Sequence, residues 1–494
     1  MLGFWQPHAA YQQSTATALS QVAKIYPDAL REYETPISKL YILDLDPLKT
    51  LIAPLFSSTG RPSGNQAGIF RSLILMSDLG LSLDKWLKKL SNNKVLQIAC
   101  GFCGKLPGVA SYYSFIDRVV KLSEKPRLKP KKRKPNKKYG KGKMPPKHPG
   151  IVQKLVDRAL KGRRFNRRPE RLLQEIFARV CVQPSIDLGL VPQNISVSGD
   201  GTCIATGASS YGVKTCGCRS NGIYNCDCPR KFSDPNATWG WDSHNERYFY
   251  GYTGYFISTY NKALKLDLPL YLRLVQASRH DSVSAVVALA EFRDLCPSLK
   301  INAFISDSAS DNYATYKLLH GWGINAVIAL NKTNKGNNKH PQCPANDDGI
   351  PICPGGHKMV NWGFNSKDRC RIKWRCPRVL GKCEASEACG NCSPSSYGRV
   401  VYTKPEWDLR LFTKIPRGSL RFKRIMKERT AAERVNNRIL HHYGLERSKM
   451  RGKKRISFLA TIAGFNIHLD AQIAVLKANG SFDFNAIFGL STAA

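Results

Sequence analysis

The sequence predicts an α/β protein with a mixed β-sheet and helices packed against it. Three strand-like segments follow one another, "NISVSGDGTCIATG", "RYFYGYTGYFIST" and "LPLYLRLVQAS", and the first alternates apolar and small polar residues as a strand does. Helix and strand then alternate: "SVSAVVALAEFRDL" predicts a helix, "KINAFIS" a strand, "ASDNYATYKLLHGW" a helix and "INAVIALN" a strand. Successive strands followed by this alternation are typical of a mixed sheet.

The regions before this sheet differ from it in composition. Residues 1–122 predict a small helical domain, because apolar residues recur at helical spacing and Ser82 is placed to cap a second helix. The apolar positions are Ile69, Leu73 and Met76 in one helix and Leu83, Trp86, Leu87 and Leu90 in the next. Residues 123–150 predict a flexible basic linker, and residues 151–192 a helical connector. The sheet domain is assigned to 193–332 and 399–494, with cysteine-rich insertions at 207–245 and 333–398.

The net charge of the chain indicates the class of molecule that it binds. The chain has 494 residues, with 76 Lys and Arg against 36 Asp and Glu, and a formal net charge of +40. Such an excess predicts a polyanionic partner, most simply nucleic acid, with a merely basic or ribosome-associated protein as the alternative. In the linker, Lys131, Lys132 and Arg133 are expected to contact phosphates without reading sequence, unless the run is only solvated. No secretory signal or membrane span is evident, which predicts a cytoplasmic protein without a membrane partner.

Few acidic residues are available for chemistry, so their positions are informative. Asp200 lies at the end of the first strand in "SVSGDGT", where an ordinary turn Asp before Gly is the preferred interpretation if the residue is taken on its own. Asp307 follows the buried strand "INAFIS", at a carboxyl end where open α/β sheets place ligands. Asp311 competes with it, but the start of a helix explains Asp311 by capping, so Asp307 is preferred.

The helix-prone stretch "KERTAAERVNNRI" offers two glutamates. Five positions separate Glu428 from Glu433, or roughly 140° around a helix, so the two cannot face one site. Arg429, Glu433 and Asn437 recur every fourth residue and share a face. We therefore expect Glu433 to be the functional carboxylate, and Glu428 to be a solvated residue paired with a neighbour such as Arg424.

Three carboxylates at such positions suffice to hold two Mg²⁺ ions for an in-line phosphoryl transfer. Hard oxygen ligands with open coordination positions suit Mg²⁺. The sequence therefore predicts catalytic and magnesium-binding roles for Asp200, Asp307 and Glu433.

The segments "SVSGDGT", "FISDSASDNY" and "RTAAERVNNRI" resemble, in this order, the three acidic motifs of the DDE transposases encoded by bacterial insertion sequences. The helical segment from "GRPSGNQAGIF" to "SYYSFIDRV" is similar to the N-terminal domain common in these enzymes, and "GRVVYTKPEWDLRLFTKIPRGS" resembles the strands before their glutamate helix. The resemblance implies a ribonuclease-H-like fold, shared with retroviral integrases, and assigns Asp200, Asp307 and Glu433 to Mg²⁺ or Mn²⁺.

The resemblance also implies an activity and partners. Such enzymes bind the terminal inverted repeats of double-stranded DNA, cleave there and join the freed 3′ hydroxyl to target DNA, usually as a homodimer in a synaptic complex. This implies a nucleoid-associated location. In the family's signature around the glutamate, Arg429 fits, while Met426 and Leu440 replace a Tyr and a Lys. Arg429 is expected to hold the Glu433 carboxylate or a DNA phosphate, and Asn437 and Arg438 are further candidates for DNA contacts on this helix. A nuclease without strand transfer and an inactive zinc-stapled DNA-binding protein remain the alternatives.

The sixteen cysteines predict structural zinc rather than disulfides in a reducing compartment. Cys216, Cys218, Cys226 and Cys228 form one candidate site, with a reduced, redox-labile loop as the alternative. The 333–398 insertion offers more ligands than one site needs. They are Cys343, Cys353, His357, Cys370, Cys376, Cys383, Cys389 and Cys392, of which the last four cysteines are the favoured set.

Several other residues have two interpretations. In "QASRHDSVSAV", Asp281 or Ser282 is expected to cap a helix, and His280 to lie near DNA phosphate only as the less favoured alternative. Trp239, Trp241 and Trp322 have the side chain for stacking on an unpaired base, but core packing is the preferred expectation.

Overall fold

A computed structural model describes residues 1–121, 128–129, 149–165, 170–243, 245–331, 339–340, 343–346, 348–365, 369–390 and 392–490. For 128–129, 339–340 and 343–344 it describes the backbone alone. The predicted linker therefore lies largely outside the described residues, as do Lys131, Lys132 and Arg133.

The strands follow the predicted order along the chain. They are β1 (Leu128–Lys129), β2 (Asn194–Ala205), β3 (Val213–Lys214), β4 (Arg230–Lys231), β5 (Thr238–Asp242), β6 (Arg247–Asn261), β7 (Leu266–Gln276), β8 (Lys300–Ser306), β9 (Asn325–Ile328), β10 (Lys339–His340), β11 (Cys343–Pro344), β12 (Val360–Asn365), β13 (Arg371–Arg375) and β14 (Val400–Thr403).

The helices fall before, between and after the strands. They are α1 (His8–Ile25), α2 (Pro27–Glu32), α3 (Glu34–Ile42), α4 (Asp46–Ile52), α5 (Gln66–Asp78), α6 (Leu83–Ser91), α7 (Lys94–Cys100), α8 (Val109–Val119), α9 (Ile151–Leu160), α10 (Arg171–Phe177), α11 (Gln183–Asp187), α12 (Asp281–Leu295), α13 (Tyr313–Gly321), α14 (Leu420–Met426), α15 (Thr430–Asn437), α16 (Lys453–Ala478) and α17 (Phe484–Phe488).

The central sheet is mixed, as predicted. Its strands lie in the order β7, β6, β2, β8, β9, and β5 pairs with the start of β6. Strand β6 is antiparallel to β2 and to β7, whereas β8 is parallel to both β2 and β9. The elements predicted from "NISVSGDGTCIATG" to "INAVIALN" are confirmed, because β-branched and aromatic runs form the strands and the run between β7 and β8 forms α12.

The N-terminal helices share a hydrophobic core with the sheet. The long apolar helix α16 packs on β7 on one side and on α3 and α5 on the other. Phe70 stacks edge-on against Phe465 of α16, and Asn466 donates a hydrogen bond to the carbonyl of Ile74. Arg455 forms a bidentate ion pair with Asp117 at 2.6 and 2.7 Å. The helical region therefore docks firmly on the sheet domain through α16.

Helix α16 is also long and apolar enough to cross a membrane by length and composition. In this protein most of that apolar surface is buried among the sheet and the N-terminal helices. Burial within the protein accounts for its composition, since a helix that is apolar all round is the expected centre of a large core.

Two three-stranded sheets and the antiparallel pair β10–β11 carry the insertions. In the first, β4 lies between β3 and the linker segment β1, so part of the predicted linker pairs with the 207–245 insertion. In the second, β12, β13 and β14 form an antiparallel sheet within and just after the 333–398 insertion. A small separate core, including Met359, Ile372 and Trp374, lies beneath it.

Candidate active site

Asp200 and Asp307 lie side by side on neighbouring strands. Strand β2 pairs in parallel with β8 up to Ser198, which is opposite Ile305. Two further residues along both strands bring Asp200 next to Asp307, at the point where β8 ends and β2 continues. Asp307 then begins a short helical turn, and its carboxylate accepts a hydrogen bond from the backbone N–H of Ala309. The strand order thus brings together two acids that are 107 positions apart.

Glu433 reaches the same place from α15, which packs on β2, β6 and β7. The helical run from α14 to α15 contains a tighter turn at Lys427–Arg429. Arg429 donates to a carboxylate oxygen of Glu433 at 2.6 Å, so the predicted pairing of these residues is confirmed. Glu433 keeps 46% of its side chain exposed and so remains accessible to a ligand. We call Asp200, Asp307 and Glu433 the acidic site.

Electrostatic repulsion is concentrated on Asp200. Burial and, after it, the nearby carboxylate of Asp307 raise the pKa of Asp200 from 3.8 to about 7; Arg429 opposes this shift, and Asp281 and Glu433 add smaller increases. Like charges that are held together at a cost in folding free energy are typical of sites that bind cations.

Removal of the Asp200 charge is expected to stabilise the metal-free protein. A carboxyl whose folded pKa is raised contributes stability at low pH that is lost as the pH rises from about 4 towards 7. At pH 8 in EDTA, Asp200→Asn should therefore raise the free energy of unfolding by about 1 to 3 kcal/mol, and this gain should shrink at pH 5. Thermal unfolding at both pH values measures it, and an equal or larger gain at pH 5 would contradict the electrostatic cause.

Asn436 is a site residue that the sequence did not reveal. Its Nδ2 donates to Oδ2 of Asp200 at 2.9 Å, and the side chain is only 6% exposed. The predicted Asn437 is exposed instead. Asn436 lies three residues after Glu433, so the two side chains are neighbours on the surface of α15, and Asn436 is the one buried against β2.

The adjacent asparagines offer a matched test. Asn436→Ala should lower the activity of the site by about 10- to 100-fold, as expected for a residue that orients a metal ligand, while Asn437→Ala should change it little. The rate of the Mg²⁺-dependent DNA cleavage that the sequence predicts would measure both effects. Equal losses of activity in the two variants would show that Asn436 has no specific role at the site.

Asp311, the competitor of Asp307, has a structural role. It is 2% exposed and bound by Arg410 through two hydrogen bonds of 2.9 and 2.7 Å. The Tyr316 hydroxyl and the backbone N–H of Asn331 also donate to it. Protein donors thus occupy the acceptor positions of the Asp311 carboxylate. This supports Asp307 as the functional aspartate.

One expectation about the glutamate helix was wrong, and a second, the DNA contact of Arg438, stays a prediction. Glu428 is not solvated: it is 9% exposed and pairs with Lys262, in the turn after β6, at 2.7 Å. The tight turn at 427–429 directs it at the sheet and away from Arg424. Arg438, a predicted DNA contact, pairs with Asp470 at 2.9 Å and so is largely engaged within the protein.

The interpretation of Asp281 as a cap is also corrected. The residue at the N-cap of α12 is His280, whose Nδ1 accepts from the backbone N–H of Ser282. Asp281 is the first helical residue. A Cβ atom at Gly201 would lie 2.6 Å from both of its carboxylate oxygens. Burial and Asp307 raise the pKa of Asp281 to about 6, so it belongs to the electrostatic surroundings of the acidic site.

The tryptophans divide into two groups. Trp239 and Trp241 on β5 are 51% and 53% exposed, so the expectation that they pack in the core is wrong for both. They pack beside Tyr250 and Tyr248 at ring distances of 5.6 and 4.8 Å. Trp322 is partly buried in the core as expected.

The 207–245 insertion brings its four cysteines together. The thiols of Cys216, Cys218, Cys226 and Cys228 all lie within 4.8 Å of one another, and no other cluster of His, Cys, Asp or Glu in the described residues was found to do so. Cys216 and Cys226 are 3.5 Å apart and Cys218 and Cys228 3.6 Å, too far for disulfides. The group can hold one metal ion such as zinc.

The second cysteine set is gathered more loosely. A cavity of about 150 Å³ is lined by the predicted Cys376, Cys383, Cys389 and Cys392, and Cys353 joins them. Cys370 and His357 do not line it, and the side chain of Cys343 lies outside the described residues. Zinc in this insertion stays a prediction.

Zinc content tests the first cluster. We expect the zinc bound per chain to fall by one in Cys216→Ser/Cys226→Ser, because tetrahedral thiolate sites rarely survive the loss of two ligands. Cys103→Ser, at an exposed cysteine outside both insertions, is the control. Elemental analysis of the purified chains gives the counts, and unchanged zinc in the double variant would show that the cluster is a reduced loop.

Comparison with protein-family models and with curated proteins finds no match to this chain.

Proposed function

We propose that the chain is a DDE transposase of an insertion sequence, which binds terminal inverted repeats and cleaves and joins DNA strands. The observation that carries the proposal is the approach of Asp200, Asp307 and Glu433 to the same part of the sheet, from the middle of β2, the end of β8 and α15, which packs on β2. A parallel β2–β8 pair with an antiparallel β6–β7 hairpin beside it supports a ribonuclease-H-like domain, in which such acids act together.

The residues fit a site for divalent cations. All three acids offer hard carboxylate oxygens, which Mg²⁺ and Mn²⁺ prefer. Oδ1 of Asn436 is buried at the site without a hydrogen-bond partner among the described residues, so a polar ligand is needed to satisfy it. When bound, the cations supply charge stabilisation for an in-line displacement at phosphorus.

The protein groups have separate tasks. Asn436 fixes one oxygen of Asp200 and leaves the other directed at a ligand. Arg429 holds Glu433 and adds positive charge beside the phosphate to be cleaved. Water then displaces the 3′ oxygen of a phosphodiester to leave a 3′ hydroxyl and a 5′ phosphate. That hydroxyl displaces a 3′ oxygen in target DNA, so one phosphodiester replaces another and no ATP is consumed.

Charge and exposed aromatic groups support DNA as the substrate. The net charge of +40 favours binding to phosphates, which we expect to weaken steeply with salt. Trp239, Trp241 and Tyr248 form an exposed aromatic edge on β5 and β6, suited to stacking on an unpaired base. A homodimer on paired DNA ends and a cytoplasmic, nucleoid-associated location belong to the same proposal.

A strand-transfer assay tests the function. The full chain is incubated with Mg²⁺, a DNA carrying the terminal repeats that flank its gene, and a supercoiled target. The proposal expects joined products that Asp307→Asn does not form. Cleavage without joining would favour the related nuclease, and DNA binding without either reaction would favour the inactive zinc-stapled protein.

A further inference from the structure

We propose that Asp281 is a fourth carboxylate of the acidic site and binds a divalent cation together with Asp307. This inference rests on the proposed function and adds a ligand to it. The sequence motifs of the three acids do not include Asp281, which lies at the start of α12.

The absence of a side chain at Gly201 gives Asp281 its access. Along β2, alternate residues point to opposite faces of the sheet. Asp200 points to the face where Asn436 of α15 contacts it. Gly201 has no side chain on the other face, and the carboxylate of Asp281 occupies that space. A Cβ atom at Gly201 would lie 2.6 Å from both oxygens of this carboxylate. Asp281 therefore approaches the strand directly beside Asp200.

Asp281 also approaches the end of β8. Helix α12 packs against the short turn of Ser308–Ser310 that follows Asp307. The two carboxylates are close enough to interact electrostatically. Negative charge at a helix N-terminus is favourable. This benefit alone does not explain a partly buried carboxylate held next to two others, whereas a shared cation does.

Two buried polar groups point independently to a missing ligand. Asn436 is 6% exposed and uses its Nδ2 on Asp200, but its buried Oδ1 has no partner among the described residues. The hydroxyl of Tyr255, 1% exposed, is likewise unpaired and would lie 2.3 Å from a Cβ at Gly199. The Tyr255 hydroxyl lies on the face of β2 that Asp281 approaches, and the Asn436 oxygen lies on the face of Asp200, so each face leaves a buried polar group for a ligand to satisfy.

Direct binding of Mn²⁺ tests the proposal without DNA. The free Mn²⁺ remaining in solution is measured by electron paramagnetic resonance as it is titrated into the metal-free full chain. We expect Asp281→Asn to weaken at least one Mn²⁺ site by about 10-fold or more, and Asp281→Glu to restore part of it. Asp84→Asn, which removes an exposed acid from the first turn of α6, controls for loss of charge at a helix N-terminus.

A second variant leaves every carboxylate in place. Gly201→Ala introduces a Cβ into the space of the Asp281 carboxylate and should weaken Mn²⁺ binding as Asp281→Asn does. Gly207→Ala, with open space around it, should not. Wild-type Mn²⁺ affinity in Asp281→Asn would overturn the inference even if the chain joins DNA. Weakened Mn²⁺ binding in a chain that never cuts DNA would support the cation site and defeat the transposase.

Discussion

Glu433→Gln is expected to abolish the proposed DNA cleavage and joining, while Glu428→Gln should leave both nearly intact. We expect the rate of the first variant to fall more than about 100-fold. Loss of a residue that only orients a metal ligand already lowers activity by about 10- to 100-fold. Glutamine keeps the size of the side chain and one acceptor for Arg429, so the fold should not change. Initial rates with Mg²⁺ and a DNA carrying the terminal repeats measure the loss.

Glu428 is the matched control because it lies on the same helical run but faces Lys262. Lys262 is 58% exposed and remains solvated when its partner is neutralised. Glu428→Gln should therefore lower only the free energy of unfolding, by about 1 kcal/mol or less. Equal rate losses in the two variants would mean that the helix, and not the Glu433 carboxylate, is what matters.

The second large effect concerns stability. Arg410→Ala should lower the free energy of unfolding by about 3 to 5 kcal/mol, because it leaves the fully buried carboxylate of Asp311 without its bidentate partner. Arg31→Ala breaks an exposed pair with Asp28 and should cost only about 0 to 1 kcal/mol. Denaturant unfolding compares them. If Arg410→Ala lowered the free energy of unfolding no more than its control does, Asp311 would not have this structural role. Asp311 would then again be a candidate for the functional aspartate in place of Asp307.

Much of the sheet could be predicted because its signal is local. The β-branched and aromatic runs that form β6, β7 and β8 are strands on composition alone, and the apolar helix between β7 and β8 needs no tertiary information. Asp200 and Asp307 were identifiable for the same reason, since each follows from its place on a strand.

The missed residues depend on packing between distant elements. A tight turn at 427–429 directs Glu428 at Lys262, and the face of α15 that meets β2 makes Asn436, not Asn437, the partner of Asp200. Asp281 was assigned a capping role because its sequence context is that of a helix start. Only the pairing of β2 with its neighbours shows that Gly201 leaves space for it. No periodicity within one segment encodes such contacts.

The most direct test of the central claim, that the acidic site cleaves DNA through bound cations, is a metal-rescue measurement. A single sulfur replaces a non-bridging oxygen of the phosphate at the mapped cleavage position, and the rate is compared in Mg²⁺ and Mn²⁺. We expect the sulfur to slow cleavage strongly in Mg²⁺ and Mn²⁺ to restore much of the rate, because Mn²⁺ accepts the softer ligand more readily. Equal cleavage of the sulfur-containing and normal DNA in Mg²⁺ would contradict direct contact between a site-bound cation and the reacting phosphate.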